Sequence, residues 1–174
     1  MNNDSNSSPS FPATRLRRVR ASYFSKLISS ENSLSVNDLI MPLFIVDGHG
    51  IREEIESMPG RYRYSLDNLM THIDDIVDLE IPAIALFPKI NVSLKDSVGS
   101  LAVEPDNLIC RAVRKIKSAY PDLGVICDVA LDPYTDHGHD GLLINGIVDN
   151  DKTVNVLIKQ AMVQAEAGCD AVAP

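Results

Sequence analysis

The chain has 174 residues, 45% hydrophobic and 23% charged, which excludes wholesale disorder and fibrous repeats and suffices for one domain with its own core. No apolar run exceeds Leu39–Val46, eight residues with Pro42 inside, so no membrane helix of roughly 20 apolar residues is present, and the polar start MNNDSNSSPS lacks the basic and apolar stretches of a secretory signal. Of the net charge of −8, residues 1–20 hold +3 (four arginines against Asp4) and the remainder −11, an acidity that argues against nucleic acid as a partner.

Residues 1–14 are rich in Ser, Asn and Pro and are expected to form a disordered tail. Residues 15–37 read as an N-terminal arm: the basic run RLRRVR, a short helical stretch from Ala21 to Ile28, and the polar connector SSENSLS. Leu39–Val46 is a strand candidate closed by the turn signal Asp47-Gly48-His49-Gly50. Ser57-Met58-Pro59-Gly60 is a further turn. Ser65 is an N-cap candidate for a helix on which Leu66, Leu69, Met70, Ile73, Ile76, Val77 and Leu79 recur at helical spacing. IPAIALFP (81–88) is a second strand, followed by a loop rich in Ser, Gly and Lys.

Asp106 can cap a helix running to about Tyr120, with Leu108, Ile109, Ala112, Val113 and Ile116 on one face. GVICDVAL (124–131) is a third strand. Asp151 can cap a helix through Ala167, with Val154, Leu157, Ile158, Ala161, Met162 and Ala165 as its apolar face and Gly168 as its stop. CDAVAP (169–174) opens a fourth strand. Strands that are apolar throughout, alternating with helices, give an α/β fold with a parallel sheet. An open doubly wound sheet and a barrel both fit this pattern. The sequence stops at its fourth strand, which points to a truncated chain of about four βα units over 38–174; the other reading is a small open sheet with a C-terminal edge strand.

The richest chemistry lies in DVALDPYTDHGHDG (128–141), at the carboxyl end of a strand, where α/β folds place their sites. Asp128, Asp132, Asp136, Asp140, His137, His139 and Tyr134 fall within this loop. Metal binding through oxygen, acid/base catalysis and capture of a cationic substrate group are all open. Clustered carboxylates repel, so at least one holds its proton more tightly unless a cation is present. A solvated loop with Asx turns is the plain alternative. Lys89 is the one lysine near a strand's carboxyl end and could form a Schiff base if desolvated. His49 and His72 read as turn and surface residues. Cys110, Cys127 and Cys169 are widely spaced, lack C-x2-C zinc spacing, and read as buried thiols of a cytoplasmic protein.

Several segments together resemble the δ-aminolevulinic acid dehydratase (porphobilinogen synthase) family: RLRRVR, DLIMPLFIVDG, SMPGRYRYS, LFP with LKDSVGS, VICDVALDPYTDHGHDG, NDKTV and QAEAGCDAVAP. The resemblance implies the N-terminal half of a (β/α)8 TIM barrel, with an arm that wraps a neighbouring subunit of a homo-oligomer. It implies a lyase that condenses two 5-aminolevulinate molecules to porphobilinogen in tetrapyrrole and haem biosynthesis. The zinc-dependent branch carries three cysteines where this chain has Ala130, Asp132 and Asp140. That implies the branch without the cysteine zinc site, with magnesium as the candidate metal and its site later than residue 174. The family's Schiff-base lysines also fall later, so no such role passes to Lys89. Asp128, Asp132 and Asp140 are the positions carried over as catalytic acids, with Tyr134, His137 and His139 shaping the loop. Two rivals stand beside this reading: a non-catalytic chain that binds or regulates a full-length subunit, and an unrelated aldolase barrel using Lys89.

Overall fold

A computed structural model of the protein describes residues 21–174. The expected tail and the basic run Arg15–Arg20 lie outside the described residues. The described chain divides between Ser35 and Val36. Among its described residues the first unit holds one helix, α1 (Tyr23–Ile28), opened by a capping box between Ser22 and Ser25. It buries none of its residues, and Tyr23 and Ile28 are among its exposed side chains.

The second unit is the α/β body. Its strands are β1 (Ile40–Val46), β2 (Arg52–Glu54), β3 (Tyr62–Tyr64), β4 (Ala83–Lys89), β5 (Gly124–Asp128), β6 (Leu143–Ile144), β7 (Ile147–Val148) and β8 (Ala171–Ala173). Its helices are α2 (Leu66–Asp78), α3 (Leu108–Ala119) and α4 (Asn150–Ala167). The main sheet has the order β2-β3-β1-β4-β5-β8, parallel except for the β2–β3 pair. Along β1, β4, β5 and β8 each parallel strand is added beside the one before and the direction does not reverse, while β3 lies on the other side of β1. A doubly wound sheet needs such a reversal to place helices on both faces; sequential winding with right-handed crossovers keeps α2, α3 and α4 on one face, as in a TIM barrel.

The burial pattern follows from that winding. Leu43, Ile45, Ile84, Leu86, Val125 and Cys127 point under the helices and are buried, meeting Leu69, Ile73, Ile109, Val113 and Ile116. Each such side chain stabilises by roughly 1.5–3 kcal/mol. The alternate positions Phe44, Ala85, Phe87 and Ile126 lie on the opposite face and are half-buried. The strands are therefore covered on one face among the described residues, not on both as their apolar composition predicts.

Ser65 is the N-cap of α2 as expected, although its hydroxyl makes no cap bond; it accepts from Ile51 N and donates to Asp67. Three local expectations need correction. Asn107, not Asp106, caps α3 by accepting from Cys110 N, while Asp106 pairs with Arg114. Asp149, not Asp151, caps α4 through Lys152 N. The inward face of α4 is Thr153, Gln160, Gln164 and Ala167, whereas Val154, Ile158 and Met162 are exposed. The short strands β2, β3, β6 and β7 were not expected; the Ser57–Gly60 turn joins β2 to β3, with Gly60 at φ 77. Gly168 ends α4 as expected, in the left-handed conformation at φ 102. Among the described residues no helix is long and apolar enough to cross a membrane.

Candidate active site

A cavity of about 290 Å³ opens at the carboxyl ends of the central strands, lined by Phe44, Arg63, Phe87, Lys89, Lys95, Asp128 and Asp132 among others. The register explains the lining. Phe44 pairs with Phe87 across β1 and β4, and their rings lie 5.6 Å apart. Asp128 follows Cys127, the partner of Leu86, and so sits in the same layer as Phe87. Aromatic faces thus floor the cavity and carboxylates edge it.

Burial is the first cause that raises the Asp128 carboxyl above its ordinary range, followed by repulsion from Asp132 and Asp140. Burial also raises Asp132, with Asp140 adding to it and Lys95 opposing it. These two acids are brought together at the cavity. Asp140 is near enough to act on both, but it does not line the cavity; its Oδ1 accepts from Leu131 N at 2.5 Å and closes the loop. Asp136 is exposed.

The other loop residues hold shape. Tyr134 is buried, with its backbone N–H on Leu131 O. Thr135 Oγ1 donates to His139 O, and His139 N donates to His137 Nδ1. The loop after β4 is stitched to this one: Asp136 N donates to Asp96 O at 3.0 Å, Asp96 N to Tyr134 O at 3.3 Å, and His137 Nε2 lies 3.3 Å from Ser97 O. Gly99 sits between the two loops in the left-handed conformation at φ 62, which other residues rarely adopt; a Cβ there would meet Leu131 and Tyr134 at 3.5 Å, an ordinary contact, so the backbone angle and not space favours glycine.

Lys89 lines the cavity, but Glu53 Oε1 holds its ammonium at 2.7 Å and also takes Arg63 at 3.3 Å. A half-exposed, ion-paired lysine lacks the desolvated amine that imine formation requires, which weighs against the aldolase rival. His49 pairs with Asp67, and His72 stacks on Tyr64. Cys110 and Cys127 are buried free thiols, and burial pushes both upward; Cys169 is partly buried.

Sequence reasoning missed Arg63, Lys95, Glu53 and the two phenylalanines, because each comes from a different loop or strand and only the register assembles them. A larger cavity of about 540 Å³ runs beside Met41–Leu43, lined also by Arg52, Tyr62, Tyr64 and His72. There β1 has no strand partner on the β3 side, since β3 pairs only with Phe44 and Ile45. That space is an uncovered sheet edge, with Asp75 as the carboxylate in its lining.

Among the described residues no three His, Cys, Asp or Glu side chains come together as metal ligands. At the three loop positions, Ala130 offers no donor and Asp140 is committed to a backbone N–H. These residues do not make a zinc site.

The family model described as delta-aminolevulinic acid dehydratase matches residues 13–174. The chain is 52% identical over 162 residues to the delta-aminolevulinic acid dehydratase of Bradyrhizobium diazoefficiens, covering 93% of this chain and 46% of that protein. It is 44% identical over 160 residues to that of Chlamydia pneumoniae, covering 92% and 48% respectively. Among solved structures it is similar to delta-aminolevulinic acid dehydratase (porphobilinogen synthase) from Toxoplasma gondii ME49 in complex with the reaction product porphobilinogen. The TM-score is 0.84 at 38% identity, over 91% of this chain and 46% of that chain. The chain spans about half the length of the curated relatives it matches.

Proposed function

The chain belongs to the delta-aminolevulinic acid dehydratase family, and from that premise we propose that it supplies the first half of a catalytic TIM barrel that condenses two 5-aminolevulinate molecules to porphobilinogen. The observation that carries the reading is the cavity at the strand ends, where two carboxylates with raised affinity for protons face Lys89, Lys95 and Arg63. Such a mouth suits a small amino acid: the carboxylates receive its ammonium group, and Lys95 receives its carboxylate, Lys89 and Arg63 being held by Glu53. Because Asp128 and Asp132 hold protons more tightly than free carboxylates, they can also give and take them during dehydration. Asp140 fixes the loop and sharpens that field.

In this reading 38–174 is the half barrel, and residues 15–37 are an arm that docks on a neighbouring copy. The exposed apolar side chains of α1 support the arm's role. Magnesium, with ligands outside the described residues, is the metal assigned to the assembled enzyme, and the compartment is the cytoplasm.

The test is complementation. Residues 1–174 are co-expressed with the C-terminal half of the Bradyrhizobium relative, and pyrrole formation from 5-aminolevulinate is followed by absorbance. The assembly is expected to turn over, and neither half alone. Asp132→Asn in the assembly should lower kcat by about 100-fold. A soluble, stoichiometric assembly that forms no porphobilinogen would overturn the proposal.

A further inference from the structure

Helix α4 packs Val156, Leu157 and Val163 half-buried against the core but leaves much of its apolar stripe uncovered: Val154, Ile158 and Met162 are 44%, 52% and 56% exposed. It turns Thr153, Gln160 and Gln164 inward instead, at 6%, 1% and 0%. Burying a primary amide is costly unless its hydrogen bonds are restored. Here only the donor half is restored, since Oε1 of each glutamine has no hydrogen-bond partner among the described residues. Methionine would fill the same volume without an orphaned acceptor. The donors are therefore what distinguish glutamine at these positions.

All three side chains bond to one object. Gln164 Nε2 donates to Asp128 O at 2.9 Å, and Gln160 Nε2 to Ala130 O at 3.0 Å. Thr153 Oγ1 accepts from Leu142 N at 2.9 Å and donates to Asp149 O at 2.7 Å. The acid loop is gripped where it leaves β5 and again just past Asp140. With 3.6 residues per turn, positions 153, 160 and 164 fall on one side of the helix, so a single rigid element holds both ends.

We propose that Thr153, Gln160 and Gln164 are positioning residues, a polar rail on α4 that fixes the backbone from which Asp128 and Asp132 reach the cavity. The inference rests on the reading of that cavity as an active-site mouth. The rail touches no substrate; it acts through the loop.

The test uses the full chain and four variants: Gln160→Met, Gln164→Met, Thr153→Val and the conservative Thr153→Ser. Ile73→Ala, on α2, is the control for simple loss of stability. Side-chain carboxyl NMR titrations of Asp128 and Asp132 are read beside Tm. Both glutamine variants and Thr153→Val are expected to move the midpoint of the half-buried Asp128 down toward the ordinary carboxylate value as the freed loop exposes it, and that of Asp132, already exposed, by less. Thr153→Ser should keep the wild-type midpoints, and so should Ile73→Ala despite its lower Tm. Midpoints unmoved in both glutamine variants, or moved equally by Ile73→Ala, would overturn the rail. If Gln164→Met does not fold, Gln160→Met alone decides.

In the complemented assembly the glutamine variants should lose kcat by about tenfold or more with KM little changed. Wild-type turnover in those variants would also count against the rail. Moved aspartates in an assembly that never turns over would sink the catalytic reading and leave the rail standing.

Discussion

Asp140→Ala and Asp140→Asn separate two things that one carboxylate does. Its Oδ1 accepts from Leu131 N at 2.5 Å, and Leu131 is 0% exposed. Truncation leaves a buried N–H with no acceptor, which costs about 1–3 kcal/mol. The same carboxylate pushes Asp128 and Asp132 upward, so its removal also relieves repulsion. Asp140 is exposed, and water screens that repulsion, so the lost bond outweighs the relief. Asp140→Asn keeps an oxygen for Leu131 and removes only the charge. The expected outcome is a loss of about 2 kcal/mol for Asp140→Ala, or about 4–8 °C in Tm for a chain of this size. Asp140→Asn should stay within about 0.5 kcal/mol of wild type. Urea unfolding followed by circular dichroism measures both, with an unchanged slope confirming that the denatured state is comparable. In both variants the Asp128 and Asp132 titrations should fall. Equal stability of the two variants would refute the assignment of the Leu131 bond to Asp140, and unmoved titrations would refute the shared field.

Asp132→Asn should stabilise the chain at neutral pH. Its raised folded value means that ionisation disfavours the fold, a penalty that appears as pH rises above the ordinary 3.8 and is absent below it. Stability against pH for both proteins should therefore converge in acid, and a constant difference would count against the reading. Asp170 has the opposite sign: Lys117, at 2.9 Å, and Val125 N, at 2.8 Å, hold its carboxyl below the ordinary range. Its contribution is present above 3.8 and lost as pH falls through the depressed folded value, so Asp170→Asn should be destabilised at pH 7 and match wild type in strong acid. Asp149→Ala removes the α4 cap and should cost about 0.5–2 kcal/mol by chemical denaturation, whereas Asp151→Ala should cost far less.

The sequence made α2 and α3 readable because their apolar residues recur at 3.6 spacing and do reach the core. Ile109, Val113 and Ile116 are all buried. The same logic misplaced α4, because it assumes that the apolar stripe faces inward. The helix buries Gln160 and Gln164 for their donors, and periodicity carries no signal for that. The cap positions slipped by one or two residues where several capping residues stand together, as in Asp106-Asn107 and Asp149-Asn150-Asp151. Strand β2, REE, has no apolar residue and β3, YRY, alternates over only three positions; pairing of β3 with β2 and with β1 creates them. The acid loop was legible from its density of aspartates. Its division of labour was not, since whether Asp140 faces a cavity or a backbone amide is decided by the fold of the loop.

The stitching between the loops that follow β4 and β5 has a practical corollary for anyone building chimaeras from this family. Asp96, Ser97 and Gly99 on one side and Tyr134, Asp136 and His137 on the other make a single seam. Lys95 and Asp132 are borne on that joint piece, so the gap between them is inherited as a unit. A graft that exchanges one segment and keeps the other tears the seam; exchanging 91–103 together with 129–141 carries it across whole.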